Sequence, residues 1–153
     1  MRTRSLKVID LAVHEVATIT AEKTIQECAA QMRSEHVGSL VVIDADRKPI
    51  GMITDRDIAI EVVARKLDPA KETVGSIMTA PVVTAAPHEG MVSALARMRE
   101  HGIRRLPIVS EEDGTIVGVI SNSNLVEELS ELLSNLVRNI HSSKTREVML
   151  RSE

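Results

Sequence analysis

Two stretches of the chain place a hydroxyl and a second polar side chain in the same frame, at the end of an apolar run. In Gly51-Met52-Ile53-Thr54-Asp55-Arg56-Asp57-Ile58 the pair is Thr54 and Asp57; in Gly118-Val119-Ile120-Ser121-Asn122-Ser123-Asn124-Leu125 it is Ser121 and Asn124. A strand that runs straight into a helix leaves N–H groups at the helix start, which suit a phosphate. A carboxylate such as Asp57 can accept hydrogen bonds from both hydroxyls of a ribose. Thr54 and Asp57 equally fit a Thr-x-x-acid cap, which stabilises a helix by roughly 0.5–2 kcal/mol with no ligand at all. Asn124 offers one acceptor oxygen where Asp57 offers two, so the second copy is the weaker ribose site. Arg56 lies in the same helix turn and either reaches a phosphate or stands in solvent.

These frames belong to a long internal repeat. An offset of 66 pairs Val8 with Val74, Val16 with Val82, Thr18 with Thr84, Met32 with Met98 and Leu40 with Leu106; one extra residue between Ser110 and Ile116 then places Gly51 on Gly118. Two copies of this length point to a pseudo-twofold pair of small units rather than a solenoid, which generally needs three or more repeats. The first unit reads as a strand Val16 to Ile19, a helix opened by the capping box Thr24-Ile25-Gln26-Glu27 and running to about Glu35, strands Leu40 to Ile43 and Ile50 to Ile53, and a helix from Thr54 that fades near Lys66. The second repeats the β-α-β-β-α order, with a strand Val82 to Thr84, a helix from about Glu89 to His101, strands Leu106 to Val109 and Ile116 to Ile120, and a helix from Asn122. Short lead-in turns, Lys7 to Leu11 and Thr73 to Met78, precede the two units. The expected boundaries are 8–66 and 74–130 for the units, 67–73 for a polar linker carrying Pro69, and 131–153 for a helical extension. That last helix carries an apolar stripe, Leu125, Leu129, Leu132, Leu133, Leu136, Val137 and Ile140, which either folds back onto the core or packs on a partner.

Composition narrows the function classes. The chain has 153 residues, is 43% hydrophobic and has a formal net charge of -3, so it exerts no general pull on nucleic acid or an anionic membrane. It contains no Phe, Tyr or Trp. A planar ligand must therefore lie between aliphatic side chains and backbone, and single-stranded nucleic acid, which usually stacks on aromatic platforms, is disfavoured. No apolar run approaches the roughly 20 residues of a membrane span, the start lacks the apolar region of a signal peptide, and the single Cys28 cannot form an internal disulfide. The expected location is the cytoplasm. The five histidines show no metal-ligand spacing, and no Walker loop, nucleophile elbow or Rossmann fingerprint occurs. No metal or cofactor is expected.

The paired β-α-β-β-α units, the Val74-Gly75-Ser76-Ile77-Met78-Thr79 lead-in, the Arg104-Arg105-Leu106-Pro107-Ile108-Val109 segment and the two Gly-x-x-(Thr/Ser)-x-x-(Asp/Asn) frames together resemble the tandem CBS domains, also called a Bateman module, from about Val8 to Leu129. The resemblance implies an α/β (α+β) fold of two pseudo-twofold-related units packed through small sheets, with two clefts that take an adenosine-containing ligand such as AMP, ADP, ATP, S-adenosylmethionine or NAD. It also implies homodimers and regulation of an effector protein in trans, without catalysis. By resemblance Thr54, Asp57, Ser121 and Asn124 are the ribose and phosphate contacts, Arg104 and Arg105 a phosphate clamp, Thr18 and Thr84 borders of the base, and Val16 and Val82 its aliphatic walls. The ribose acid and the phosphate clamp then belong to different halves, so the two clefts differ in ligand or only one is filled. Two other readings stay open: a constitutive dimerisation module with empty clefts, and an enzyme, for which the chain offers no metal set or base–nucleophile pair.

Overall fold

A computed structural model describes residues 6–150, with side chains through residue 141; expectations for residues 1–5 and 151–153 lie outside it. The chain divides into two compact units, one ending at Ile120 and one beginning at Ser121. The first unit holds nearly all of both repeats. After a 3-10 turn at Val8–Leu11 come β1 (Thr18–Thr20), α1 (Ile25–Glu35), β2 (Ser39–Ile43), β3 (Pro49–Thr54) and α2 (Asp55–Asp57), which continues as a π-type turn over Ile58–Val63. Then follow α3 (Val74–Ile77), α4 (Met91–His101), β4 (Arg105–Val109) and β5 (Ile116–Ser121). The second unit is the single helix α5 (Asn122–Leu150).

Local chemistry explains where the helices start. The Thr24 hydroxyl accepts from the Glu27 N–H at 3.2 Å while the Glu27 carboxylate accepts from the Thr24 N–H at 2.8 Å, the expected capping box. The Lys23 ammonium, 2.8 Å away, and the Thr24 N–H hold the Glu27 carboxyl down at about 2. At the far end of α1, His36 takes the left-handed conformation (φ 54°), and Gly102 does the same after α4 (φ 64°).

The sheets follow the β-branched runs. β2 lies between β1, parallel to it, and β3, antiparallel to it. Its side chains alternate between two cores: Leu40 and Val42 pack with Ile19, Ile25, Cys28, Met32 and Ile53, whereas Val41 and Ile43 meet Ile116 of β5, with Val16, Met52 and Val119 around them. The two halves thus pack through their small sheets, as the family resemblance implies. Burial pushes the Cys28 thiol up to about 11.

One expected strand is absent. β1 begins at Thr18 rather than Val16, and its counterpart Val82 to Thr84 is not a strand; the second sheet is β4 and β5 only. The cause is Pro107. In the first half the Val41 N–H donates to the Ala17 carbonyl at 3.0 Å, but Pro107 stands where Val41 stands and has no N–H to give. Pairing survives one step later, where Ala85 donates to the Pro107 carbonyl at 2.9 Å and accepts from the Val109 N–H at 3.0 Å.

The repeats also exchange their first turns. Val74 donates to the Lys23 carbonyl at 2.8 Å, and its counterpart Val8 donates to the Glu89 carbonyl at 2.9 Å. Each lead-in then reaches the other half's signature strand: Thr79 and Met52 trade two bonds (2.8 and 3.0 Å), and Val13 and Val119 trade two (2.9 and 3.0 Å). The repeated glycines permit this crossing. A Cβ on Gly51 would lie 2.6 Å from the Met78 sulfur and 3.0 Å from the Thr79 carbonyl oxygen; one on Gly118 would lie 3.2 Å from the Ala12 Cβ.

Candidate functional site

β3 delivers Thr54 to the start of α2, and the cap there is complete. The Thr54 hydroxyl accepts from the Asp57 N–H at 3.1 Å and donates to Asp57 Oδ2 at 2.8 Å, and the Thr54 N–H donates to the same Oδ2 at 2.8 Å. All three bonds leave Asp57 Oδ1 with no hydrogen-bond partner among the described residues. At α5 the geometry recurs with different chemistry: Asn124 Oδ1 accepts both the Ser121 N–H at 3.0 Å and the Ser121 hydroxyl at 2.6 Å. The spare group of the first cap is an acceptor, while that of the second is an NH₂ that can only donate.

Thr54 and Asp57 open onto a cavity of about 400 Å³, within the usual range for small-molecule sites. Thr79, Pro81, Val82 and Val83 form one wall, brought there by the exchanged lead-in and the loop after it. The turn from His101 to Arg105, between α4 and β4, forms another. Arg104 and Arg105 therefore line the same cavity as Asp57. The acid and the arginines, which belong to different halves, thus line one cavity, and the exchange of lead-ins builds that cavity from both halves.

The other predicted residues lie elsewhere. Arg56 is exposed, with its N–H on Asp55 Oδ1 at 2.7 Å, and does not line the cavity. Val16 packs between the sheets. The Thr18 carbonyl accepts from Gln31 Nε2 at 3.0 Å, and the Thr84 carbonyl accepts from Arg97 Nη1, so a polar side chain of each first helix ties down the same backbone position. Arg97 also pairs with Glu89 at 3.0 Å. Ser121 and Asn124 belong to the unit that begins at Ser121. The sequence reading did not pick out Met52, Thr79, Pro81, His101, Gly102 or Ile103 as lining residues. The available signal was the placement of Thr79 at the end of the lead-in already singled out, and of His101 to Ile103 immediately before Arg104-Arg105.

Among the described residues there is no group of three or more His, Cys, Asp or Glu placed to hold a metal ion, and no helix long and apolar enough to cross a membrane. Protein MK0525 of Methanopyrus kandleri is 34% identical over 124 residues, 81% of this chain; the chain spans 63% of that protein. The CBS domain-containing protein YhcV of Bacillus subtilis is 33% identical over 139 residues, covering 86% of this chain and 96% of that one. Among solved structures, the CBS domain pair of protein MJ0100, in complex with 5'-methylthioadenosine and S-adenosyl-L-methionine, superposes with a TM-score of 0.74 at 24% identity, over 83% of this chain and 98% of that chain. The CBS domain profile matches twice, at residues 8–64 and 74–131. With its two halves interlocked through exchanged lead-ins and matching helix caps, the chain belongs to the CBS domain family, as a tandem pair.

Proposed function

We propose that this protein is a cytoplasmic ligand-sensing module that binds an adenosine-containing molecule and passes the signal, as a homodimer, to an effector protein in trans. The observation that carries the reading is the cavity lined by Asp57, whose Oδ1 the cap leaves without a partner, together with Arg104 and Arg105. Asp57 takes the ribose hydroxyls. The Thr54 end of α2 and the two guanidiniums take phosphate. Met52, Val82, Val83 and Ile103 supply aliphatic walls for the base, as a chain without aromatics requires. The adenosine-containing ligands of the MJ0100 pair support the ligand class. A phosphate-bearing ligand (AMP, ADP, ATP or NAD) is favoured over S-adenosylmethionine, since two arginines line the same cavity as the acid. The module binds without turnover, and the ligand acts by favouring one arrangement of the paired chains over another.

Isothermal titration calorimetry against AMP, ADP, ATP, S-adenosylmethionine and NAD tests this, with an Asp57→Asn variant beside the wild type. The variant keeps an oxygen for the cap, as Asn124 does, but turns the open acceptor into a donor. Saturable wild-type binding that weakens about tenfold or more in the variant, a loss of roughly 1.4 kcal/mol, is the expected result. Flat wild-type traces at millimolar ligand would instead support an assembly module with unfilled clefts, and product formation would make the protein an enzyme.

A further inference from the structure

The cavity wall formed by Pro81, Val82 and Val83 has little backbone support of its own. Thr79 is anchored before it by two bonds to Met52, and Ala85 after it by its bonds to Pro107 and Val109. Between these anchors the N–H groups of Ala80, Val82, Val83 and Thr84 have no hydrogen-bond partner among the described residues, and Pro107 has no N–H to offer the Val83 carbonyl. Of the carbonyls over the same stretch only that of Thr84 is bonded, and its donor is Arg97 Nη1 of α4.

That single bond fixes an orientation. In a trans peptide the C=O and N–H point opposite ways. The Ala85 N–H reaches the Pro107 carbonyl at 2.9 Å on one side, and the Thr84 carbonyl meets Arg97 on the other. The peptide plane is thus held from both sides, and Val82 and Val83 hang directly from it. Arg97 is itself fixed: its Nη2 lies 3.0 Å from Glu89 Oε1, which also accepts from the Ser93 hydroxyl at 2.8 Å. The first half supplies the comparison. There Gln31, the repeat equivalent of Arg97, donates to the Thr18 carbonyl at 3.0 Å, but the Val41 N–H also reaches the Ala17 carbonyl, and Thr18–Thr20 pairs along β2. The same bond is redundant in one half and alone in the other. We propose that Arg97 is a positioning residue for the cavity: its guanidinium lies outside the lining, yet it sets the wall of Val82 and Val83 by holding the Thr84 carbonyl. The effect on ligand rests on the nucleotide reading; the effect on the wall does not.

Backbone nitrogen NMR relaxation of the ligand-free full chain reads the wall directly, and calorimetry with ATP reads the consequence. Arg97→Met keeps the apolar stem and removes every donor. In that variant the amide order parameters of Val82, Val83 and Thr84 are expected to fall from about 0.85 to about 0.6 or below. With the wall in its binding arrangement in about a tenth of the molecules, ATP affinity falls about tenfold. Two changes should restore both readouts: Arg97→Gln, which reproduces the donor of Gln31, and Pro107→Val added to Arg97→Met, which supplies an N–H for the Val83 carbonyl in place of the guanidinium. Gln31→Met should alter neither readout. Far-UV circular dichroism checks that the variants fold, and Arg97→Ala is read in the same way should Arg97→Met not fold. Order parameters in Arg97→Met that match the wild type, or that Pro107→Val fails to restore, would overturn the proposal. A flat ATP trace for the wild type would instead count against the nucleotide reading, and the order parameters would still decide the role of Arg97.

Discussion

Asp57 and Asn124 occupy equivalent places and do the same mechanical work, yet the groups that their caps leave unused are chemically opposite, an acceptor oxygen and a donor NH₂. One carboxylate oxygen suffices for the cap, because both the N–H and the hydroxyl of Thr54 converge on Oδ2. Capping and ligand contact, which the sequence poses as alternatives, are compatible here: the cap uses Oδ2 and leaves Oδ1 without a partner. Thr54→Ala separates the two roles. It removes the hydroxyl that accepts from the Asp57 N–H, and the expected cost is about 1 kcal/mol of stability, seen as a lower urea midpoint by far-UV circular dichroism.

The helices and most strands were legible because their causes are local. Thr24-x-x-Glu27 and Thr54-x-x-Asp57 announce helix starts, and Leu40-Val41-Val42-Ile43 announces a strand buried on both faces. The segment Val82-Val83-Thr84 carries an equally good strand pattern but fails through a residue some two dozen positions away, since Pro107 cannot donate to it. The cavity was half legible for the same reason. Thr54, Asp57, Arg104, Arg105 and Val82 could each be named, but their meeting depends on which lead-in crosses which strand, and no spacing encodes that. Gly51 was visible only as part of a motif; its role is to let the Thr79 backbone pass. Gly51→Ala should therefore lower stability by about 1–3 kcal/mol, the range for forcing extra volume into a packed site, as measured by urea denaturation. A midpoint within error of wild type would show that Met78 and the Thr79 backbone move aside.

Through Ile120 the halves share hydrogen bonds at both lead-ins and a core between their sheets, and Val74 of the second repeat sits in the first repeat's core at 0% exposure. Opening either half breaks hydrogen bonds and packing that belong to the other. One cooperative transition is expected, and two buried probes check it: native Cys28, and a cysteine placed at its repeat equivalent by Ala94→Cys. Both thiols should become reactive to a disulfide reagent over the same urea range in which helical signal is lost. Reaction of one well before the other would show two independently folding halves.

The crossing of the lead-ins also bears on ancestry. Were the linker between Lys66 and Glu72 severed, what remained would have the form of two short, similar proteins that had traded their first turns. Such an exchange needs only one gene while the partners are identical. Duplication and fusion would then let the two copies diverge, one with an acid at its cap and the other with an amide, with the joint between them already built.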